Sequence, residues 1–309
     1  MARRRLDAEL VRRGLCRTRQ EAQAAVVSGH VLVSGAPADK AARLVGPDEP
    51  VVVLGPPPPF VSRGGQKLEA ALTRFAVPPE GRRALDAGAS TGGFTDCLLQ
   101  HGAVRVYAVD VGHGQLHPRL RQDPRVVTLE RVNVRTLTVD TLQAADPGYT
   151  PCPLVVADLS FISLRSVIPA LCGPVSAPDA DLVVLVKPQF EVGRAAVSQG
   201  KGVVRDPALW LHALESATSA LAAAGTGIVG VMPSPLIGAS GNVEFLVHAR
   251  KVASDSVASD SVPPAGSAAG SAALCAAAVA EAEARRAAPA VPAGRTGPTG
   301  TSPQTSQAR

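Results

Sequence analysis

The chain has 309 residues, of which 46% are hydrophobic and 18% are charged, so it can bury a sizeable core and is not disordered as a whole. Its five cysteines are odd in number, widely spaced and without a C-x-x-C pair, which argues against a disulfide scaffold or a zinc site and favours a reducing compartment. The longest strongly apolar runs, such as Leu182–Val186, fall far below the roughly 20 residues of a membrane span, and no apolar segment follows the basic start. We therefore expect a cytoplasmic protein.

The formal net charge of +5 is concentrated at the front of the chain. Residues 1–67 contain eleven cationic and six anionic side chains, whereas the rest of the chain holds equal numbers of the two. Such a distribution fits a polyanionic partner, and a solvated basic face is the alternative interpretation.

The first fifty-odd residues are predicted to form a small α/β unit. Apolar residues recur at helical spacing from Leu6, and a capping box at Thr18–Glu21 opens a second helix that Gly29 ends. Short strands are predicted at His30–Val33 and Val51–Leu54. Cationic side chains and free backbone amides at the start of the second helix would converge on phosphate groups.

This unit resembles the S4-type RNA-binding domain over roughly residues 3–54. The resemblance is carried by Arg5-Leu6-Asp7, Gly14-Leu15, Thr18–Ala22 and Gly29–Gly35, with Lys40 downstream. Because aromatic residues are only 3% of the chain, RNA contacts are expected to rest on arginine and phosphate geometry rather than on base stacking. The candidate RNA-binding residues are Arg5, Arg17, Arg19, Gln20, Lys40 and Arg63.

Composition divides the chain into four segments. Residues 1–54 form the RNA-binding unit, and residues 55–61 form a stiff, proline-rich linker. Residues 62–250 form a larger domain. Residues 251–309 are rich in Ala, Ser, Pro, Gly and Thr with almost no large apolar side chains, so we expect a disordered tail, with room for one local helix around Ala272–Arg286.

Strands and helices alternate through the larger domain. A helix is predicted at Gln66–Phe75, and seven nearly continuous apolar strands follow it, several of them separated by helices. This pattern is typical of an α/β fold with a Rossmann-like, doubly wound and mostly parallel sheet, whose ligands sit at the carboxyl ends of the strands. The predicted strands are Ala84–Ala87, Arg105–Val109, Val126–Leu129, Leu154–Ala157, Leu182–Val186, Gly227–Val231 and Val243–His248.

A glycine-rich loop follows the first of these strands. It lacks the P-loop pattern, and Ser90 stands at a position that the dinucleotide fingerprint gives to glycine. The carboxylate of Asp86 suits a ligand with an amine and a sulfonium better than a pyrophosphate, and Asp110 ends the second strand where an acid grips a ribose diol. A purely structural turn is the alternative. The candidate cofactor-binding residues are Asp86, Gly88, Ala89, Ser90, Thr91, Gly92, Gly93, Phe94 and Asp110.

This combination resembles class I S-adenosylmethionine (SAM) binding, and six motifs narrow the resemblance to the TlyA family. The motifs are Ser62–Leu68, Asp86–Phe94, Asp110–Leu116, Asp158–Leu164, Leu185–Glu191 and Gly241–Phe245. The resemblance spans about residues 3–250 and implies a cytidine 2′-O-methyltransferase of ribosomal RNA, a family often labelled haemolysins. It implies SAM as cofactor, ribosomal RNA or ribosomal subunits as partners, and no metal. Two features depart from the family: the run Pro56–Pro59, and His117-Pro118 in place of Ala and an aromatic residue.

The family resemblance further implies a catalytic Lys-Asp-Lys-Glu set at Lys67, Asp158, Lys187 and Glu244, called the charged quartet below. The predicted elements agree, because Asp158 and Lys187 directly follow strands and Glu244 falls on the last strand. We hypothesise that Lys187 lies nearest the ribose 2′-hydroxyl. The charge of Lys67 would favour loss of the proton from Lys187, and the carboxylates of Asp158 and Glu244 would oppose it. Lys187 could therefore act either as a general base or as a positioning group. Only five of the 31 cationic residues are lysines, and only lysine can lose its proton.

Other functions fit the sequence less well. Base-amine methylation usually shows an Asn/Asp-Pro-Pro-aromatic loop, which is absent, and Cys152 precedes its strand and is interpreted as structural. His113 and His117 are four residues apart, but Gly114 and Pro118 argue against a metal-binding helix. A lytic factor would need a membrane-inserting segment, and this sequence shows none. A catalytically silent RNA-binding protein would bind SAM without methylating RNA, and the presence of all four residues of the charged quartet argues against it.

Overall fold

The computed structural model describes residues 3–55, 58–193, 197, 200, 202–238, 240–252 and 268–287. Two prolines of the predicted linker, Pro56 and Pro57, lie outside the described residues, and so do most of the residues beyond Val252. Within the described part, no helix is long and apolar enough to cross a bilayer.

The front unit packs two helices on short strands. Thr18 caps the second helix, since its hydroxyl accepts a hydrogen bond from Glu21 N at 3.1 Å. The Glu21 carboxylate accepts from Arg17 N at 2.7 Å, so the reciprocal bond of the predicted capping box is displaced by one residue. The elements are β1 (Arg4–Arg5), α1 (Leu6–Arg12), α2 (Arg19–Val27), β2 (Val31–Val33), β3 (Ala36–Pro37), β4 (Leu44–Val45) and β5 (Val51–Val53).

The turn signal of the front unit makes a tight hairpin. Ser34 and Gly35 have φ angles of 53° and 82°, as a two-residue turn of type I′ requires, and they join β2 to β3. The other predicted strand, β5, pairs with the opposite side of β2. Leu6, Leu10 and Val31 are fully buried between this sheet and the helices, so the unit has its own core.

The larger domain is a seven-stranded sheet in the order β11-β12-β10-β9-β6-β7-β8. The strand β12 runs antiparallel to the other six strands, which run parallel to one another, so the predicted mostly parallel sheet is confirmed. The strands are β6 (Arg83–Ala87), β7 (Arg105–Asp110), β8 (Val126–Glu130), β9 (Cys152–Ala157), β10 (Ser176–Val186), β11 (Thr226–Pro233) and β12 (Phe245–Lys251). The helices are α3 (Gly64–Phe75), α4 (Gly93–Gln100), α5 (Pro118–Arg121), α6 (Val139–Ala145), α7 (Ile168–Leu171), α8 (Pro188–Glu191) and α9 (Pro207–Ala223).

Both faces of the sheet are covered, which explains the nearly continuous apolar strands. Along β10, Leu182 and Val184 pack into the cluster that contains Trp210 of α9, whereas Val183 packs into the cluster of α3 and α4. Successive side chains of a strand point to opposite faces of the sheet, so a strand that lies between two hydrophobic layers needs apolar residues at successive positions. The carboxyl edge of the sheet, where side chains leave these layers, is therefore the place for polar chemistry.

Two strand boundaries differ from the prediction. Glu244 precedes β12 rather than lying on it, because the ladder with β10 begins only at Phe245, which pairs with Val186. Cys152 is the first residue of β9 rather than a residue before it, since the ladder with β10 already pairs it with Ser176. Cys152 is nevertheless buried at the amino edge of the sheet, far from the edge where the loops carry charge.

The local helix expected around Ala272–Arg286 within the predicted disordered tail is present as α10, which is longer than expected and spans Ala268–Ala287. One stripe of α10, Cys275, Ala278, Val279 and Ala282, is buried against α9 and β11. These positions recur at the spacing of one helix face. Small side chains allow two backbones to approach closely, so a stretch poor in large apolar residues still packs.

Candidate active site

The charged quartet lies at the carboxyl edge of the large sheet. Asp158 follows the carboxyl end of β9, and Lys187 follows that of β10. The antiparallel register of β10 and β12 places Glu244 across from Lys187. Lys67, the fourth member, comes from the first half of α3, which packs on one face of the sheet.

The quartet forms two buried ion pairs. Lys67 Nζ lies 2.5 Å from Glu244 Oε2, and Lys187 Nζ lies 2.6 Å from Asp158 Oδ1 and donates a hydrogen bond to Ser160 Oγ at 2.8 Å. Both lysine side chains are at most 10% exposed. Each buried cation has its own carboxylate, which offsets the cost of removing the charges from water. The geometry at Asp158 Oδ1 is that of an ionic contact, and this oxygen has no hydrogen-bond donor among the described residues.

The loop before Glu244 is built around its carboxylate. A Cβ atom at Gly238 would lie 2.6 Å from Glu244 Oε1, so the position leaves no space for a side chain. Ser234 N donates to the Glu244 carbonyl at 2.8 Å, and the buried Asn242 accepts from Val204 N at 2.8 Å. Asn242 falls within a predicted motif, whereas the role of Gly238 could not be predicted, because the contact of Gly238 with Glu244 cannot be identified from local sequence.

A second missed residue holds the loops after β9 and β10 together. Glu191, at the end of α8, is buried, and its carboxylate accepts from Ser163 Oγ at 2.6 Å and from Leu164 N at 2.8 Å. Together with the bond from Lys187 to Ser160, this contact fixes one loop against the other. All of these residues fall in the two motifs that follow β9 and β10, which was the available signal.

Phe161 is the most unusual residue near the quartet. Its side chain is 91% exposed, and its φ of 64° is a left-handed conformation that non-glycine residues seldom adopt. Its ring lies 5.3 Å from the ring of Phe190, which stands three residues after Lys187. A strained backbone that presents an aromatic ring to solvent next to the Ser160 partner of a buried lysine is a feature that surface packing does not explain.

The glycine-rich loop borders a cleft on the other side of β6. The cleft contains about 210 Å³ of empty space, part of it open to solvent. Gly88 has a φ of 86°, and a Cβ atom there would lie 2.6 Å from the Asp158 carbonyl oxygen, so the loop passes directly against the segment that carries Asp158. The lining residues are Ala89, Ser90, Ala108, Asp110, Gly112, Gln115, Leu116, Thr128 and Glu130.

Of the nine candidate cofactor residues, Ala89, Ser90 and Asp110 line the cleft and the other six do not. Gly92 faces Leu116 and Leu120, and a Cβ atom at Gly93 would lie 2.3 Å from Ser62 Oγ. Phe94 is buried in the core. Thr91 is exposed beside the loop. The buried glycines allow α4 to approach the segment before α3, which couples the loop to the helix of Lys67.

Asp86 is fully buried below the loop. Thr95 Oγ1 donates to its Oδ2 at 2.6 Å, while Oδ1 has no hydrogen-bond donor among the described residues. Burial, reinforced by the carboxylates of Asp158 and Asp110, raises the pKa of Asp86 to about 7. A buried oxygen without a donor fits the amine-bearing, cationic ligand that the sequence predicts.

Asp110 joins the loops after β6 and β7. Its Oδ2 accepts from Ser90 N at 2.8 Å and its Oδ1 from Gly112 N at 2.6 Å. Each carboxylate oxygen can accept a second bond, so both remain able to receive a diol from the cleft. The donor-deficient Asp86 and the acceptor Asp110 therefore fit the two ends of a nucleoside that carries an amino acid.

In the front unit, the structure brings together two of the candidate RNA-binding residues. The fully buried Asp7 pairs with Arg5 at 2.9 Å and with Arg19 at 3.2 Å, and both guanidinium groups remain about half exposed. The hydrogen bond from Arg5 is the main reason that the pKa of Asp7 lies below its usual range. The other candidates are also exposed, namely Arg17, Gln20, Lys40 and Arg63, the last of which directly precedes α3.

Comparison with known proteins covers both units. Residues 60–251 match the family model of FtsJ-like methyltransferases, and residues 4–51 match that of the S4 domain. The chain is 52% identical to the 16S/23S rRNA (cytidine-2′-O)-methyltransferase TlyA of Mycobacterium tuberculosis, over 81% of this chain and 91% of that protein. It is 40% identical to hemolysin A of Brachyspira hyodysenteriae, over 79% and 98% of the two chains. A solved hemolysin-like protein of Streptococcus thermophilus superposes with a TM-score of 0.67 at 36% identity, covering 93% of this chain and 99% of that one.

Proposed function

Since this chain belongs to the FtsJ-like methyltransferases, and within them to the TlyA family, we propose that it transfers a methyl group from SAM to the 2′-hydroxyl of a cytidine in ribosomal RNA. The observation that carries the proposal is the charged quartet, gathered as two buried ion pairs next to a glycine-rich loop. Cytidine and ribosomal RNA are the substrates that the name of the Mycobacterium tuberculosis relative gives.

The loop side of the site suits SAM. Asp86 would receive the amino group through its unpartnered Oδ1, and Asp110 would accept the ribose hydroxyls. Ala108 and Leu116 offer apolar surface for the adenine ring. The cofactor supplies a methyl carbon activated by a sulfonium, so the chain itself has to align the acceptor oxygen and hold the surrounding charges.

The ion pairs favour Lys187 as a positioning group over Lys187 as a neutral base. Lys67 is paired with Glu244, and Lys187 Nζ lies 2.6 Å from the Asp158 carboxylate, a contact that suits a hydrogen-bond-donating ammonium. Asp158 and Ser160 occupy two sides of Nζ, and an ammonium has three donors. The third donor can hold the ribose oxygen, directing a lone pair of that oxygen toward the methyl carbon.

The proton of the hydroxyl has to leave as the carbon–oxygen bond forms. The oxygen becomes more acidic as it gains its third bond, so a carboxylate is a sufficient acceptor late in the reaction. Asp158 Oδ1 lies 2.6 Å from Lys187 Nζ, and a carboxylate has lone pairs left to accept a proton beside such a contact. We assign the proton to Asp158, with Lys187 as the group that keeps the oxygen in place.

RNA would approach over the exposed side of the quartet. The ring of Phe161, backed by Phe190, offers a face on which the base of an unstacked nucleotide can lie. The half-exposed guanidinium groups of Arg5 and Arg19 suit the phosphate backbone of a more distant segment. Ribosomal RNA as the partner makes this a cytoplasmic enzyme.

The test is methyl transfer from labelled SAM to purified ribosomal subunits. Wild-type protein should label ribosomal RNA, and Lys187→Ala should transfer at least a hundredfold more slowly while its SAM affinity stays within a few-fold. Arg125→Ala is a matched control, because it removes a cation whose carboxylate partner is the neighbouring surface residue Asp123. Equal transfer by Lys187→Ala and the control would remove Lys187 from the reaction, and absence of labelling by the wild type would refute the proposed function.

A further inference from the structure

The C-terminal helix α10 reaches the elements that hold the Lys67–Glu244 ion pair. It lies against β11 and α9 through its buried stripe, and its last turns extend to the carboxyl edge of the sheet. The family match ends at residue 251, so α10 falls outside it. The contacts made by its charged residues are therefore not explained by the chemistry assigned so far.

Glu281 connects α10 to α3. Its carboxylate receives a two-pronged pair of hydrogen bonds from Arg74, with Nη1 to Oε1 at 3.0 Å and Nη2 to Oε2 at 2.9 Å. Arg74 stands two helical turns after Lys67 on α3, so the two residues share one side of that helix. A bidentate arginine–carboxylate pair fixes orientation as well as distance. Glu281 thereby sets the position of α3 relative to α10.

The same carboxylate is linked to the loop of Glu244. Arg285 Nη2 donates to Glu281 Oε1 at 2.6 Å, and Arg285 Nη1 donates to the Ser234 carbonyl at 3.4 Å. The amide of Ser234 in turn donates to the Glu244 carbonyl at 2.8 Å. One carboxylate on α10 thus connects, through one arginine each, to the helix of Lys67 and to the loop of Glu244.

We infer that α10 is a positioning element of the active site and that Glu281 is its positioning residue, holding Lys67 and Glu244 at their pairing distance. The inference rests on the proposed function, because the ion pair acts there in methyl transfer. Half-exposed ion pairs add little to folding stability, so the effect of Glu281 should appear in the reaction rather than in the melting temperature. A displacement of about 1 Å in an active site can cost up to ~100-fold in rate.

The test compares Glu281→Ala with Glu283→Ala in the full-length protein. Glu283 is exposed on the same helix and has no hydrogen bond or ion pair with the described residues, so it controls for the loss of one carboxylate. Glu281→Ala should lower kcat about tenfold with KM for SAM and for RNA unchanged, and the two variants should melt together. Arg74→Ala combined with Glu281→Ala should be no slower than Glu281→Ala alone, because both remove one contact.

A second measurement is independent of activity. Acylation of lysines, mapped by mass spectrometry, should label the buried Lys67 faster in Glu281→Ala than in Glu283→Ala. Unchanged labelling of Lys67 would overturn the inference whatever the activity. A rise in KM for RNA alone would also overturn it, since Glu281 would then act on RNA binding. Faster labelling with no methyl transfer by the wild type would uphold the positioning role and refute the proposed function.

Discussion

Gly238→Ala is the substitution that perturbs the site by the smallest chemical change. The added Cβ atom would lie 2.6 Å from Glu244 Oε1, whereas ordinary contacts begin at 3.4 Å, so the carboxylate has to retreat by about 0.8 Å. Glu244 is buried and paired with Lys67 at 2.5 Å, so the retreat stretches or rotates that pair. Displacements near 1 Å in active sites cost up to ~100-fold, and we expect kcat to fall about 10- to 100-fold.

The assay is single-turnover methyl transfer to ribosomal subunits with saturating SAM. Gly148→Ala is the control, because Gly148 lies in an exposed turn where a Cβ atom would come no closer than 3.5 Å to its neighbours. Overpacking costs about 1–3 kcal/mol of stability, so transfer is measured well below the melting transition of both variants. Transfer by Gly238→Ala at the rate of the control would show that the position of Glu244 does not matter to the reaction.

Three further outcomes are expected. SAM should bind about tenfold more weakly for each pH unit below 7, because the pKa of Asp86 is raised to about 7 and only the ionised carboxylate attracts the cationic ligand. Calorimetric titrations should show this pH dependence for the wild type and not for Asp86→Asn. Phe161→Ala should raise KM for RNA roughly tenfold or more with SAM binding unchanged, as loss of a stacked base predicts, and an unchanged KM would exclude stacking. Arg17→Ala should weaken RNA binding and lower the salt slope by about one, measured by titration at several salt concentrations; an unaltered slope would exclude a phosphate contact at Arg17.

Residues that stand next to a strand end were predictable from the sequence. Asp158 and Lys187 follow apolar runs that could only be buried strands, so their place at the carboxyl edge follows from the fold class. The position of Gly88 in a sharp turn follows from its place after β6. The mostly parallel sheet and the family were predicted correctly because both depend on patterns that are local in the chain.

Pairings between distant segments could not be predicted. Lys67 and Glu244 are far apart in sequence. No local sequence pattern indicates that their side chains form an ion pair at 2.5 Å, or that Lys187 pairs with Asp158 instead. That division of partners gives each buried lysine its own carboxylate. Likewise, the lack of space for a side chain at Gly238 depends on the carboxylate of Glu244, which lies six residues later in the chain.

The packing of helix α10 could not be predicted for a different reason. Composition measures how much apolar surface a segment carries, and residues 268–287 carry little per side chain. The helix packs because Ala278 and Ala282 stand on one face, next to Cys275 and Val279, opposite the apolar surface of α9 and β11. Spacing along the helix, which the possible helix at Ala272–Arg286 already indicated, was more informative than composition.

Identification of the labelled nucleoside tests the central claim most directly. Ribosomal RNA methylated by the wild-type protein with labelled SAM is digested completely to nucleosides, which are separated and identified by mass spectrometry. We expect the label in 2′-O-methylcytidine. Label recovered in a nucleoside methylated on its base would contradict it.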